Sequence, residues 1–252
     1  MNYDKMYGLL GKSLGHSFSK DYFTKKFSLL NLNYSYQNIE LENIDDIIPF
    51  IENNKNIKGF NVTVPYKKAI IPFLDDIDIT AKEIGAVNTV KIYEDGRLKG
   101  FNTDVVGFEK LLSRDAINRV RTSGMKEALI LGSGGASKAV QYVLNKKNIP
   151  YKIVSRSFKL GISYEEINIT GFKPYSMIIN TTPVGMFPNV DECLELPYST
   201  ADEHNIFIDL IYNPEETLFM KKGKAQGAAA YNGLTMLFEQ AEAAWEIWKV
   251  RS

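Results

Sequence analysis

A glycine-rich turn in the middle of the chain has the residue types and spacing that bind phosphate groups. It follows an apolar run and consists of Gly132, Ser133, Gly134, Gly135 and Ala136. Gly132 permits a tight turn, Gly134 lets the backbone approach a pyrophosphate, and the amides that begin the next helix face its negative charge. The pattern departs from G-x-G-x-x-G at its last position, Ser137. We predict a dinucleotide site here, and the alternative is a strand-to-helix turn without a ligand.

The strand after this turn ends in Ser155-Arg156-Ser157, which bears on the choice of cofactor. Enzymes that use NAD usually carry an acidic residue at this point to hold the ribose 2′-hydroxyl. A cation flanked by hydroxyl donors instead suits a 2′-phosphate. We therefore predict NADP, with Arg156 as its phosphate ligand, and a surface arginine is the alternative.

Composition limits the partners, metal sites and catalytic groups that the chain could have. The 252 residues include 30 Lys and Arg, 30 Asp and Glu, two His and one Cys. Neutral charge argues against nucleic acid and membrane surfaces as partners, and so few Cys and His argue against disulfides and zinc sites. His204 lies in a polar stretch, where we expect a solvated loop. We therefore expect a metal-free cytoplasmic protein whose acid or base is a lysine or a carboxylate, without a membrane span or signal peptide.

Two series of alternating strands and helices must position these groups. The first is predicted to have strands at 6–10, 34–41 and 59–64 and helices at 20–30, 45–53 and 69–74. The second is predicted to have helices at 105–112 and 136–147 and strands at 127–131, 151–155, 176–180 and 205–210. The alternation predicts an α/β fold with mostly parallel sheets covered on both faces, and a domain boundary near residues 102–104. A final helix, 234–249, carries an apolar stripe formed by Leu234, Leu237, Ala241, Trp245 and Trp248.

Four segments of the first series concentrate hydroxyl, amide and charged side chains. They are residues 15–19, 59–68, 85–90 and 100–104. In a strand, Val62 and Val64 would face one way and Asn61 and Thr63 the other. Because Pro65 stops the strand, Lys67 is expected at its carboxyl end, where open α/β sheets bind ligands.

At these segments the sequence resembles the shikimate dehydrogenase family, the NADP-dependent enzymes of the aromatic amino-acid pathway. The resemblance spans nearly the whole chain and includes residues 180–186, 209–214 and 233–237. It implies reversible reduction of 3-dehydroshikimate to shikimate with hydride from NADPH. It also implies an α/β substrate-binding domain, residues 1–103 completed by the helix at 234–252. A Rossmann-like NADP-binding domain, residues 104–233, would face it across a deep cleft.

The resemblance also assigns roles to single residues. The catalytic pair is Lys67 and Asp104, with Lys67 either a general acid/base or an electrostatic stabiliser. The substrate-binding positions are Ser17, Ser19, Thr63, Asn88, Tyr212 and Gln240. The cofactor is assigned to the glycine turn, to Arg156, and to backbone contacts near Leu210 and Gly233. The implied partners are small molecules, and both a monomer and a homodimer stay open.

Two of the sequence's departures from the family pattern fall beside predicted site residues. Lys20 stands where the family usually has proline after its second serine, and Ser155-Arg156-Ser157 replaces Asn-Arg-Thr. Three alternatives are a paralogue that accepts quinate or NAD, a folate dehydrogenase on a similar frame, and a dinucleotide sensor without turnover. The paired serines argue for shikimate and against a folate enzyme, and the presence of Lys67 and Asp104 argues against a sensor.

Overall fold

A computed structural model describes residues 3–15, 17–113, 126–155 and 161–250. The chain divides into two compact units, a first unit of Met1–Thr103 with Ala241–Ser252 and a second unit of Asp104–Gln240. In these described parts of the chain, each unit contains one sheet. Within the described ranges, no helix combines the length and apolar character needed to cross a membrane.

The first unit is built on a six-stranded sheet in the order β2-β1-β3-β5-β6-β4. Its strands are β1 (Lys5–Gly11), β2 (Tyr34–Glu40), β3 (Ile57–Val62), β4 (Asp76–Ile77), β5 (Thr89–Ile92) and β6 (Leu98–Phe101). Its helices are α1 (Phe18–Leu29), α2 (Ile47–Asn53), α3 (Tyr66–Ala69) and α4 (Ile79–Ile84), with 3-10 turns at Ile44–Asp46 and Ile71–Phe73.

This sheet is mixed, which differs from the mostly parallel sheet that the sequence predicts. β1 is parallel to β2 and β3, but β5 is antiparallel to both β3 and β6. The β5–β6 hairpin is not predicted from the sequence, because its strands have only four residues each. The hairpin brings the start of β5 and the end of β6 to the edge where β1 and β3 end.

The strand predicted at 59–64 ends two residues early. Thr63 makes the last bond of the ladder, from its N–H to the Leu10 carbonyl at 2.9 Å, and Val64 is 73 % exposed. The ladder ends here because Pro65 has no N–H to extend it. The exposed Val64 therefore does not share the buried face of Val62, although the sequence predicts that it would. The helix predicted at 69–74 is also displaced: α3 ends at Ala69, and a 3-10 turn around Pro72 follows.

An aromatic cluster covers one face of this sheet and includes the end of the last helix. Trp248 stacks on Tyr7 with ring centroids 4.8 Å apart, and its Nε1 donates to the Val90 carbonyl at 3.0 Å. Trp245 is also buried in this cluster. Both tryptophans therefore belong to the core of the first unit. The predicted stripe is wrong at its start, because Leu234 is 37 % exposed.

The second unit has a five-stranded sheet that is parallel throughout its described pairings, as predicted. Its strands are β7 (Glu127–Leu131), β8 (Tyr151–Val154), β9 (Tyr175–Asn180), β10 (Ile206–Asp209) and β11 (Ala229–Tyr231). Its helices are α5 (Asp104–Ser113), α6 (Gly135–Lys146), α7 (Tyr164–Thr170) and α8 (Leu218–Lys224), with a 3-10 turn at Tyr198–Thr200. The last helix, α9 (Leu234–Lys249), contributes its residues up to Gln240.

The strand order fixes where a ligand of this sheet would bind. The order is β8-β7-β9-β10-β11, so the chain direction across the sheet reverses between β7 and β9. In doubly wound folds, ligands bind outside the carboxyl ends of the strands at such a switch point. The glycine turn follows β7 directly and therefore lies at this point.

Candidate active site

Five predicted substrate-side residues lie at one edge of the first unit's sheet. Ser17 and Ser19 follow β1, Thr63 and Lys67 follow β3, and Asn88 precedes β5. The carboxyl ends of β1 and β3 and the start of the antiparallel β5 meet at this edge. Three separate parts of the chain are thus brought together by the register of the sheet.

Ser17 and Ser19 are held by the start of α1. The Ser17 hydroxyl caps this helix by accepting from the Lys20 backbone N–H at 3.3 Å. A proline, usual in the family at position 20, could not donate this bond. The departure at Lys20 therefore preserves the helix start and adds a cap. Ser19 is buried, only 8 % exposed.

Lys67 lies on the short helix α3 and is half-buried. Its backbone carbonyl accepts from the Val87 N–H at 2.7 Å, which ties α3 to the segment before Asn88. The Tyr66 hydroxyl donates to the Leu41 carbonyl at 2.6 Å and anchors the helix from the other side. The helix that carries Lys67 is therefore held by two hydrogen bonds, one to its backbone and one from the Tyr66 side chain.

Asn88 has an amide with a fixed orientation. Its Oδ1 accepts from the Thr103 N–H at 2.7 Å, and both Thr89 Oγ1 and Thr103 Oγ1 lie within 3.2 Å. Thr103 directly precedes Asp104, which begins α5 and is 6 % exposed. A carboxylate in the first turn of a helix is stabilised by the helix dipole. Lys67 and Asp104 belong to different units.

The glycine turn of the second unit fits a pyrophosphate. Gly132 has φ +104°, and a Cβ there would lie 2.9 Å from Thr181 Oγ1. Gly134 is the N-cap of α6, and a Cβ there would meet no atom within 4 Å. The turn therefore presents open backbone at the start of a twelve-residue helix. Ser137 is buried and accepts from Gln141 Nε2 at 3.0 Å, so the helix packs with a hydroxyl where the fingerprint has glycine.

The end of β8 lies beside this turn. Ser133 Oγ and Ser155 Oγ are 3.2 Å apart, which places two hydroxyls where an acidic residue would hold a ribose. Arg156, the predicted phosphate ligand, lies outside the described residues, as does His16 beside the serines. His204 is exposed in a loop, as predicted.

The other predicted residues of the second unit fall into two groups. Leu210 and Gly233 are in contact, because Gly233 N–H donates to the Ile211 carbonyl at 3.0 Å and a Cβ on Gly233 would overlap the Leu210 carbonyl. Tyr212 is half-buried, and burial raises its pKa. Gln240 lies on α9, where its Nε2 donates to the Leu237 carbonyl at 3.0 Å.

Asp209 is a buried carboxylate for which the sequence alone predicts no role. It is fully buried at the end of β10 and accepts from Thr217 Oγ1 at 2.6 Å, Ile211 N at 3.0 Å and Asn180 Nδ2 at 3.1 Å. Burial raises its pKa to about 6 although these donors favour the charged form. Its hydrogen bonds with Ile211 N–H and Thr217 Oγ1 hold the loop that carries Leu210 and Tyr212. The sequence feature that points to this buried carboxylate is an acidic residue directly after the apolar run at 206–208.

Among the residues that the structure describes, no cluster of three or more His, Cys, Asp or Glu side chains is suited to hold a metal ion. The candidate site consists of two parts. One is the polar edge of the first sheet, and the other is the glycine turn with the β10 loop.

Comparisons with known proteins give a consistent result. Residues 9–90 match the family model described as the shikimate dehydrogenase substrate binding domain. A protein named shikimate dehydrogenase (NADP(+)) from Clostridium beijerinckii is 40 % identical over 256 residues, 97 % of this chain and 92 % of its own length. A protein of the same name from Methanosphaera stadtmanae is 36 % identical, over 96 % of this chain and 90 % of its own.

Solved structures agree with the sequence relatives. A shikimate dehydrogenase in complex with NADP+ superposes with a TM-score of 0.84 at 34 % identity, covering 97 % of this chain and 90 % of its own. The Thermus thermophilus enzyme, in complex with NADP(H) and shikimate, has a TM-score of 0.80 at 28 % identity, covering 97 % and 93 %. These matches confirm the predicted α/β class. Their extent and identity mean that the chain belongs to the shikimate dehydrogenase family.

Proposed function

We propose that the chain catalyses the reversible reaction of 3-dehydroshikimate, NADPH and a proton to give shikimate and NADP+. The observation that carries this proposal is the convergence of Ser17, Ser19, Thr63, Lys67 and Asn88 at one sheet edge of the first unit. Hydroxyls, amides and one cation suit a polyhydroxylated ring, because a site that pairs each hydroxyl rejects analogues that lack one. The first unit is thus the substrate-binding domain in this proposal.

The second unit would bind NADP through the glycine turn at its switch point. The open backbone at Gly134 and the amides that begin α6 suit the pyrophosphate. Ser155, not an acid, directly follows β8, which favours a 2′-phosphate over a free 2′-hydroxyl. Arg156 would pair with that phosphate, and the backbone near Leu210 and Gly233 would contact the rest of the cofactor.

The cofactor and the individual residues have separate roles in the proposed reaction. When bound, the cofactor supplies the hydride. Lys67 holds the proton at the substrate oxygen and stabilises the negative charge that develops there, and Asp104 orients Lys67 and the substrate hydroxyls. Ser17, Ser19, Thr63, Asn88, Tyr212 and Gln240 would bind the substrate.

One assay tests the function and its nearest alternative. The change in nicotinamide absorbance is followed with shikimate or quinate as substrate and NADP or NAD as cofactor. We expect the highest kcat/KM for shikimate with NADP. A higher value for quinate or for NAD would replace this proposal by a broader dehydrogenase, and absence of turnover in all four combinations would leave only a binding protein.

We also infer a cytoplasmic enzyme, since a lone cysteine suits a reducing compartment. A monomer and a homodimer both fit the proposal, and sedimentation at several protein concentrations would distinguish them.

A further inference from the structure

A line of buried polar side chains connects two predicted substrate-binding residues of the first unit. It consists of Ser19, Tyr36, Asn61, Thr89 and Asn88, each of them less than a tenth exposed. Tyr36 Oη lies 2.8 Å from Asn61 Oδ1, and Asn61 Nδ2 lies 3.1 Å from Thr89 Oγ1. Thr89 Oγ1 lies 3.1 Å from Asn88 Oδ1. At the other end, the hydroxyl of Ser19 is near enough to the Tyr36 phenol to lower its pKa by hydrogen bonding. We call these five residues the Tyr36 line.

The two amides in the Tyr36 line have a fixed orientation. Asn61 Nδ2 also faces the backbone carbonyl of Asn88 at 3.4 Å, and a carbonyl can only accept. Asn88 Oδ1 faces the backbone N–H of Thr103 at 2.7 Å, which can only donate. Turning either amide round would set two donors or two acceptors against each other. Asn61 therefore presents its oxygen to Tyr36.

This orientation fixes the direction of both hydrogen bonds of Tyr36. The phenol has one proton, which it donates to Asn61 Oδ1. The neighbouring Ser19 hydroxyl can therefore interact with the phenol oxygen only as a donor. A tyrosine phenol is protonated at neutral pH, and burial raises the pKa of the Tyr36 phenol still further. The hydroxyl of Ser19 is thus held by a group that does not change its charge.

We propose that Tyr36 is a positioning residue that orients the Ser19 hydroxyl and, through Asn61 and Thr89, the Asn88 amide for the substrate. The inference rests on the proposed function, in which Ser19 and Asn88 bind shikimate. Binding groups need side chains that neighbouring hydrogen bonds hold in one rotamer, because a freely rotating hydroxyl points its proton and lone pairs in several directions. Tyr36 meets no substrate in this scheme and acts only through its neighbours.

The variant Tyr36→Phe breaks the line at one atom. The ring would keep its stacking on Phe23, whose centroid is 4.7 Å away. Tyr7→Phe is the matched control, because Tyr7 is a buried tyrosine of the same aromatic cluster but lies outside the line. We expect Tyr36→Phe to raise KM for shikimate about tenfold, as for one lost buried hydrogen bond, with kcat and KM for NADP changed less than about twofold. Tyr7→Phe should leave all three values within about twofold of wild type.

A double-mutant cycle separates positioning from a general loss of stability. If Tyr36 acts through Ser19, Tyr36→Phe should raise KM for shikimate only about threefold or less when Ser19→Ala is already present. Effects that multiply fully would overturn the proposal, and so would a KM for Tyr36→Phe equal to that of Tyr7→Phe. If Tyr36→Phe does not fold, Thr89→Val interrupts the same line and should raise the same KM, and an unchanged KM there overturns the proposal.

The wild-type assay distinguishes a failure of the proposed function from a failure of the role proposed for Tyr36. A wild-type chain that fails to turn over shikimate with NADP overturns the proposed function and this inference together. Normal wild-type turnover with an unaffected Tyr36→Phe variant overturns only the role of Tyr36.

Discussion

Lys67 is the residue to which the proposed chemistry assigns the proton. It lies on α3 beside the exposed Lys68, so the two side chains share a helix but differ in burial. A group that assists proton transfer only in the transition state affects kcat more than KM. Its neighbour on the same helix has no such role.

We expect Lys67→Ala to lower kcat by about 10²–10⁴-fold, the usual contribution of general acid–base catalysis, with a smaller change in KM. Asp104→Ala should lower kcat and also raise KM, since Asp104 is assigned to substrate hydroxyls as well. Lys68→Ala serves as the control and should retain turnover. Steady-state kinetics with shikimate and NADP measure these effects, and near-normal turnover of Lys67→Ala would refute the assignment.

Asp209 predicts a measurable pH dependence of stability. Its pKa in the folded chain is about 6, above the ordinary 3.8, because burial disfavours its charge. The folded state therefore holds the proton more tightly, and this contribution to stability is present at low pH and lost as pH rises through about 6.

Relative to Asp209→Asn, which cannot titrate, the wild type should lose about 2 kcal/mol of unfolding free energy between about pH 4.5 and about pH 7. Urea unfolding of both proteins at the two pH values gives this difference, and titrations common to both cancel. Parallel pH curves for the two proteins would show that Asp209 is not the titrating group.

At the scale of elements, the sequence predicts best where a strand or helix is long and apolar. β7 lies at the predicted residues, because a strand buried on both faces is a continuous apolar run. The β5–β6 hairpin was missed because short strands carry little periodicity, yet this hairpin brings Asn88 to the site edge. The Tyr36 line was also missed, since its hydrogen bonds join β2, β3 and β5 across the sheet. Local sequence does not encode such register.

Two variants of the glycine turn separate effects on folding stability from effects on NADP binding. Gly132→Ala should lower both the melting temperature and NADP affinity, because its positive φ and the nearby Thr181 leave a Cβ no space. Gly134→Ala should keep the melting temperature, since its Cβ would meet no atom within 4 Å, but should weaken NADP binding by blocking the approach of the pyrophosphate. Thermal melts and calorimetric titration with NADP test both. An unchanged affinity in Gly134→Ala would argue against a pyrophosphate at this turn.

At the scale of the whole molecule, each unit has a hydrophobic core of its own. The two tryptophans of the chain, Trp245 and Trp248, both lie in the aromatic cluster of the first unit. In the second unit, Phe207 is fully buried and contacts Phe219 with ring centroids 4.9 Å apart. Tryptophan fluorescence therefore reports unfolding of the first unit, whereas far-ultraviolet circular dichroism reports both.

Trp248→Ala should destabilise the first unit by about 3–5 kcal/mol, because it removes a buried ring from a packed cluster. The fluorescence of the remaining Trp245 should then change at lower urea than the circular dichroism signal. Phe207→Ala is the reciprocal variant, for which the dichroism should begin to change before the fluorescence.

NADP should raise the urea midpoint of the second unit in Trp248→Ala without moving the fluorescence midpoint, since a ligand stabilises only the state it binds. If both signals change together in both variants, the units unfold as one and the assignment of NADP to the second unit needs a direct binding measurement on its glycine-turn variants.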